Sequence, residues 1–463
     1  MADLTRRSLL GLAGLGTLGT AAAWPRLSAA DIPGREDGAL QVAILGTAQD
    51  AAARQELVDA FTAAHPDIPV RIQAVQGQDW TQFFTKILTM VAAGSPPDLC
   101  MVATEGAQLF ADRLAHPLDE FVTRDARQVQ DFFSDVHPAL IEAFMYEGSL
   151  FMLPVDFNAA NIYYNTTAMR RAGLERPADD WSADDFLDVC RRMRQAAAGS
   201  FRPYFWTNRL WGGVVPWLYA NGTSILTESK ASGGDWMWSR FYGSDPAAAG
   251  RGGGYRWLEA NAEAPEVLDT FEYLRALTAE GLGSSPAQGG GNELVARFAE
   301  GVIGMTPAGG FWVDGLAEGG MGPDDYDVTY FPRARTQRHQ FGSAGYAMMK
   351  TSQRKDEAWE WIKFCASREG MRLSFPSPNT TPVRRSMVNE AFYAGVGPRH
   401  WQVFYDTLDR FPTTGPIPAP PQQAAVEAAL IKNVLGAVTA PEGGVPAALA
   451  TMQRDLQLAL GRN

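Results

Sequence analysis

Cysteine is scarce. The 463 residues hold three, Cys100, Cys190 and Cys365, far apart and without a CxxC pair. That excludes a disulfide framework and leaves room for one bridge at most; a buried, unpaired thiol is the simpler reading of each. Histidine is nearly as rare. The five, at 65, 116, 137, 339 and 400, are scattered and none forms HExxH, which argues against a histidine zinc site. There is no GxxxxGK[ST] phosphate loop, and the only clustered glycines near a GxGxxG pattern, Gly11, Gly14 and Gly16, lie in the N-terminal leader. Gly342-Ser343-Ala344-Gly345 is not the GxSxG nucleophile elbow. Positive charge is in deficit, 40 Lys and Arg against 52 Asp and Glu, for a net charge of -12. A cationic phosphate-binding surface is therefore not expected, and nucleic acid is excluded as the main partner. No stretch beyond the leader approaches the 18 apolar residues of a membrane span, so the chain is not read as membrane-embedded.

What is present is a globular composition, 46% apolar and 20% charged, which excludes disorder over most of the chain. The length suits roughly three domains of about 150 residues, or two larger ones. Residues 1–30 read as a targeting segment: Arg6-Arg7 precede an uncharged Leu9–Ala23 stretch, and Ser28-Ala29-Ala30 offers a cleavage site. This is a twin-arginine pattern, which implies export to the periplasm. No cysteine stands near the cleavage site to carry a lipid anchor. Loss of that segment removes three Arg and one Asp and leaves a net charge of -14.

After the leader, Leu40, Val42 and Ile44 alternate as a strand, and Leu57, Val58, Phe61 and Ala64 share a helix face. Val70–Ile72 is a second strand, Phe84, Ile87, Leu88 and Val91 a second helix face, and Asp98–Ala103 a short buried strand. This β-α-β-α-β order implies a mostly parallel sheet covered by helices. Ligands of such sheets sit beyond the carboxyl ends of the strands, which gathers the loops at 46–49, 76–80 and 104–105 around one cleft. Ser182 with Asp185 marks a helix start. Residues 201–257 hold six of the 13 tryptophans, and the C-terminal third reads as helical around a Pro-rich break at 411–421.

Four segments resemble the extracellular solute-binding proteins of carbohydrate ABC importers, the maltose-binding-protein-like group. Pro97-Asp98-Leu99 followed by Leu114-Ala115-His116-Pro117-Leu118-Asp119 is the first. Gly148-Ser149-Leu150-Phe151-Met152-Leu153-Pro154 leading to Tyr163-Tyr164-Asn165 is the second. Ala172-Gly173-Leu174 with Trp181 and Phe186 is the third, and Phe298-Ala299-Glu300-Gly301-Val302-Ile303-Gly304-Met305 the fourth. The resemblance implies an α/β fold of two lobes, the periplasmic-binding-protein fold, joined by a hinge of crossing segments with the ligand cleft between the lobes. It places 38–155 plus 343–376 in an N-terminal lobe and 158–341 plus 378–463 in a C-terminal lobe, with crossings near 156–161, near 341–345 and after Phe375. It implies no catalysis and no cofactor, a small carbohydrate ligand, ABC permease subunits as partners, and a monomer.

A sugar presents hydroxyl edges and apolar faces, which suit planar polar side chains and aromatic rings. The candidate ligand contacts are Glu105 after a strand end, Asp156, Asn158 and Asn161 at the first crossing, Trp211, and Trp80 at the cleft rim. Gly310 and Trp312 lie in a Gly-Gly-Phe-Trp loop similar to the family loop that brings an aromatic to the ligand, and Gly345 permits close backbone approach. Arg384, in a Pro-x-Arg segment like the family's, suits an anionic group or a neutral sugar. Each has a plain alternative: turn caps for Asp156 and the Asn pair, a solvated charge for Glu105, core packing for the tryptophans, a hinge pin for Arg384. Two other functions stay open from sequence: a same-fold binder of a non-sugar solute such as glycerol phosphate or a polyamine, and a secreted glycan-active enzyme using Asp156 and Glu105.

Overall fold

The computed structural model describes residues 38–461 except 198, 285, 287–291, 376–379, 390–392 and 394; the leader lies outside the described residues. The strands are β1 (Leu40–Leu45), β2 (Val70–Val75), β3 (Leu99–Ala103), β4 (Met145–Tyr146), β5 (Ser149–Leu150), β6 (Met152–Ala159), β7 (Asn161–Asn165) and β8 (Arg202–Tyr204). They continue with β9 (Leu226–Lys230), β10 (Tyr255–Ala260), β11 (Ile303–Ala308), β12 (Tyr326–Thr329), β13 (Gln340–Met348), β14 (Thr381–Pro382) and β15 (Gly415–Pro416).

The first sheet has the order β14-β6-β13-β3-β1-β2, with β15 added beside β13. β1 runs parallel to both β2 and β3, as the alternating pattern predicts, and their connections are the helices Gln55–Ala64 and Trp80–Ala92. β13 and β6 are antiparallel additions, so the sheet is mixed rather than mostly parallel. The reason is topological: both strands run to and from the second sheet. A local β-α-β pattern carries no information about strands that return from far along the chain.

The second sheet has the order β12-β7-β11-β8, with β7 antiparallel to both neighbours. A single residue, Ala160, separates β6 of the first sheet from β7 of the second, and its amide donates to the Gln340 carbonyl at the start of β13 (2.9 Å). The two crossings are thus stitched side by side at the hinge. Alternation then separates the second sheet's faces. Ile162 and Tyr164 enter one core with Phe186, Trp217, Phe271 and the C-terminal helices Gln423–Val438 and Val445–Leu460. Tyr163 points the other way, into a cluster with Phe298, Trp312 and Phe404. The first sheet has its own core, with Phe61, Phe84, Phe133 and Trp361. Cys100, Cys190 and Cys365 are all buried and free of disulfides, as the sequence suggests. No helix among the described residues is long and apolar enough to cross a membrane.

Candidate functional site

The carboxyl ends of β1, β2 and β3 face the place where β6 and β13 leave for the second sheet. There the floor of the cleft is made of short side chains on closely packed backbone. A Cβ on Gly342 would lie 2.7 Å from Trp211 Nε1, and 3.7 Å from Thr104 Oγ1, so the second lobe's tryptophan rests directly on the crossing strand. Thr104 Oγ1 accepts from the Ser343 amide (3.4 Å) and donates to Glu105 (3.3 Å).

The second lobe supplies the opposite wall from a loop kinked between Arg209 and Val214. Gly212 occupies the left-handed region (φ 64°), which a Cβ would penalise, and its amide donates to Gln340 Oε1 (3.1 Å). That kink turns Trp211 to the cleft, where its ring meets Phe311 edge-on at 5.2 Å and carries the Arg209 guanidinium at 5.4 Å. Gly309 and Gly310 let this wall close on the hinge: Cβ atoms there would fall 2.6 Å from Asn158 and 2.7 Å from Thr381.

At the mouth the lobes touch. Thr81 Oγ1, in the first turn of the helix Trp80–Ala92, donates to Glu427 Oε2 on the helix Gln423–Val438 (2.7 Å). Gln423 Nε2 donates to Thr81 (3.2 Å) and to Glu427 (2.8 Å). Arg209 feels the carboxylates of Glu105, Glu427 and Asp79 from across the cleft. Burial pushes the Glu105 carboxyl from its ordinary 4.5 up to about 7, and neighbouring Glu427 adds to the rise while Arg209 opposes it. Burial likewise lifts Asp156 from 3.8 to about 6, against the Ala344 amide, Thr380 and Arg54.

The residues expected at the ligand divide into two groups. Glu105, Trp211, Gly310, Asn158 and Asp156 converge on the cleft floor and walls. Asp156 also braces the hinge, accepting from the Ala344 amide (2.8 Å) and from Thr380 Oγ1 (3.3 Å), which ties β6, β13 and the third crossing together. Asn158 donates to Thr380 Oγ1 (3.0 Å) and keeps its Oδ1 buried without a protein partner. Trp80 sits near the mouth, half-buried, stacked on Phe84 and edge-on to Phe83 at the start of its helix.

The others lie elsewhere. Trp312 is 2% exposed and packs on Tyr163 and Phe298 in the outer core of the second lobe. Residues 310–312 form one 3-10 turn, so successive side chains point a third of a turn apart, and Phe311 rather than Trp312 faces the cleft. Arg384 is 3% exposed and turned into the first lobe, where it donates to the Ala366 carbonyl (2.9 Å) and pairs with Asp131 (2.8 Å) and Asp135 (3.3 Å). Asn161 is fully buried, bonded to the Val403 carbonyl (3.1 Å) and Thr407 (3.2 Å) beneath the hinge. Gly345 stands opposite Pro154, where the register of β6 against β13 shifts; a Cβ there would meet the Leu153 carbonyl at 2.5 Å.

Arg209, Phe311, Gln340 and Glu427 join the site without having been read from sequence, and Thr104 and Ser343, in segments expected at the cleft and the crossing, join it without having been named as contacts. Phe311 was within reach in the Gly-Gly-Phe-Trp loop; Arg209 and Glu427 carry no local signal, because only the meeting of the lobes brings them to Glu105. Among the described residues, three buried atoms lack a partner here: Asn158 Oδ1, Gln340 Nε2 and Arg209 Nε. An acceptor, two donors, a proton-holding carboxyl and two aromatic rings suit a polyhydroxylated solute with an apolar face.

The two lifted carboxyls set a pH dependence. The folded chain holds protons on Glu105 and Asp156 up to about 7 and about 6, while the unfolded chain releases them near 4.5 and 3.8. The contribution of these two groups to stability is therefore full below those unfolded values and falls as pH rises toward 7, by up to about 1.4 kcal/mol per pH unit for each group, while His137 and His339, held neutral by burial and protonated below 6.5 only in the unfolded chain, contribute the opposite slope. From pH 4.5 to 7 the melting temperature of the wild type should fall relative to that of Glu105→Gln; a difference that does not change with pH would remove Glu105 from this account.

A family model described as bacterial extracellular solute-binding protein matches residues 46–372. Solved structures share the fold at low identity. One is UgpB of Mycobacterium tuberculosis in complex with glycerophosphocholine, with TM-score 0.71, 17% identity, and coverage of 92% of this chain and 99% of that one. Another is the ABC substrate-binding protein Lmo0181 of Listeria monocytogenes with cycloalternan, with TM-score 0.70, 17% identity, and coverage of 91% and 98%. A third is maltose-bound MalE3 of T. maritima, with TM-score 0.68, 16% identity, and coverage of 91% and 100%.

Proposed function

The chain belongs to the bacterial extracellular solute-binding protein family, and from that premise we propose that it captures a carbohydrate, a mono- or oligosaccharide or a glycoside, and delivers it to the permease of an ABC importer without chemical change. The observation that carries the reading is the cleft between the sheets, where Trp211 and Phe311 offer aromatic surface beside Glu105 and the unpartnered polar atoms of Asn158, Gln340 and Arg209. Rings take the apolar sugar face and planar polar groups take hydroxyl edges. The protein works as a monomer in the periplasm after export on the twin-arginine leader, and the lobes close on the ligand about the paired crossings at Ala160 and Gln340. Structures of the same fold hold maltose and cycloalternan, which supports the ligand class.

A thermal-shift screen of the chain from residue 31 tests this, with neutral saccharides, polyols, sugar acids, polyamines and glycerophosphodiesters as probes. A bound saccharide at 100 times its Kd adds about 2.7 kcal/mol, a rise of a few degrees for a chain of this size. The rise should be lost in Trp211→Ala. Response to glycerophosphodiesters alone would move the ligand to that class, for which the free Nε of Arg209 and the fold shared with UgpB speak. Cleavage of a glycan panel that disappears in Asp156→Asn would overturn the reading of binding without catalysis.

A further inference from the structure

The hairpin of β9 and β10 belongs by its base to the second lobe. Leu226, Trp257 and Ala260 lie in that lobe's core. The C-terminal helix holds the strand end: Gln453 Nε2 donates to the Ala260 carbonyl (3.0 Å), and its Oε1 accepts from the Ala262 amide (2.6 Å). The segment between the two strands, residues 231–254, goes elsewhere. Its helix, Asp235–Phe241, places Met237, Trp238 and Phe241, followed by Tyr242, in the core of the first lobe. Phe241 lies 4.2 Å from Phe133 between ring centroids, and the Tyr242 hydroxyl donates to the Val136 carbonyl (3.1 Å).

Glu142, the last residue of the first-lobe helix Pro138–Glu142, is 1% exposed and receives three donors from this region. They are Lys230 (2.8 Å), Arg251 (2.9 Å) and the Gly252 amide (2.8 Å). The Gly148 amide donates to the Gly253 carbonyl (2.9 Å), and a Cβ on Gly253 would sit 2.6 Å from Gly148 Cα, so the two backbones are in direct contact.

We propose that residues 231–254 are a strap that stays docked on the first lobe when the lobes separate, tethering the second lobe through the β9–β10 hairpin. Releasing the strap would expose four large buried side chains and strand the Glu142 carboxylate, which costs far more than bending a two-stranded ribbon. The ribbon has a weak point: its register shifts between Trp257 and Ala260, and Leu258 there is exposed. The strap adds two chain crossings to the hinge and limits how far the cleft can open.

Hydrogen exchange of the intact, ligand-free chain tests this. If the strap never leaves, amides of 237–242 exchange within about threefold of those of 129–133 in the first-lobe core, and both lose protection together in rising urea. Strap amides exchanging about 100-fold faster than 129–133, in step with the interlobe contact at Thr81, would overturn the proposal. A second arm uses the double variant Trp238→Ala, Phe241→Ala. Protection should fall at least about tenfold over 129–142 and stay unchanged over 445–460, and equal loss in both lobes would also overturn it.

Discussion

Trp312→Ala should lower the unfolding free energy by about 3–5 kcal/mol, read from the urea midpoint at constant slope. The indole is 2% exposed, 5.6 Å from the ring centroids of both Tyr163 and Phe298, with Val313 and Leu316 in the same cluster. Nothing of similar volume can fill the gap, because Tyr163 is itself held by its hydroxyl on the Gly309 carbonyl (2.7 Å). The comparison is Trp211→Ala, whose ring ends at the cleft against Gly342 and Phe311. That ring is 9% exposed at the edge of the second lobe's core, so the variant should cost less stability than Trp312→Ala and lose saccharide affinity on the order of 10- to 100-fold. Trp312→Ala that costs under about 1 kcal/mol and still abolishes ligand response would put Trp312 in the site and remove the core assignment.

Glu142→Ala should cost about 3–5 kcal/mol, because it takes from the buried Arg251 and the half-buried Lys230 the carboxylate they share. Arg251 has a side chain 7% exposed, and Lys230, at 33%, lies with its ammonium 3.1 Å from the Tyr255 ring centroid. Desolvation pulls the Lys230 ammonium below its ordinary pKa, and Glu142 opposes that pull. Adding Lys230→Met to Glu142→Ala should recover part of the loss, since one of the stranded charges goes with it. Equal and additive losses in the two single variants would show that the carboxylate and the ammonium do not act as a unit.

Much of the fold was legible. The β1–β3 unit and the Ser182 helix cap depend on local periodicity and capping, and the structure has both, with Ser182 and Asp185 forming a reciprocal cap; the crossing near 156–161 rests on the family resemblance, and the chain passes there from β6 to β7. The site was legible only in part. Glu105 and Trp211 reach the cleft, whereas Arg384 and Trp312 turn into cores. Their motif positions fix where the backbone runs, not which way the side chain leaves it. A one-residue step in a 3-10 turn exchanges Phe311 for Trp312, and a residue beside a crossing can point into either lobe.

The sequence by itself determined the composition class, the parallel start of the first sheet, the buried thiols and the family likeness, because each follows from residues near one another or from counting. Tertiary structure alone decided the antiparallel crossings, the meeting of Arg209, Glu427 and Glu105 at the mouth, and the docking of residues 231–254 on the opposite lobe. Those contacts join positions up to several hundred residues apart, and their energies come from burial and charge pairing that no local pattern records.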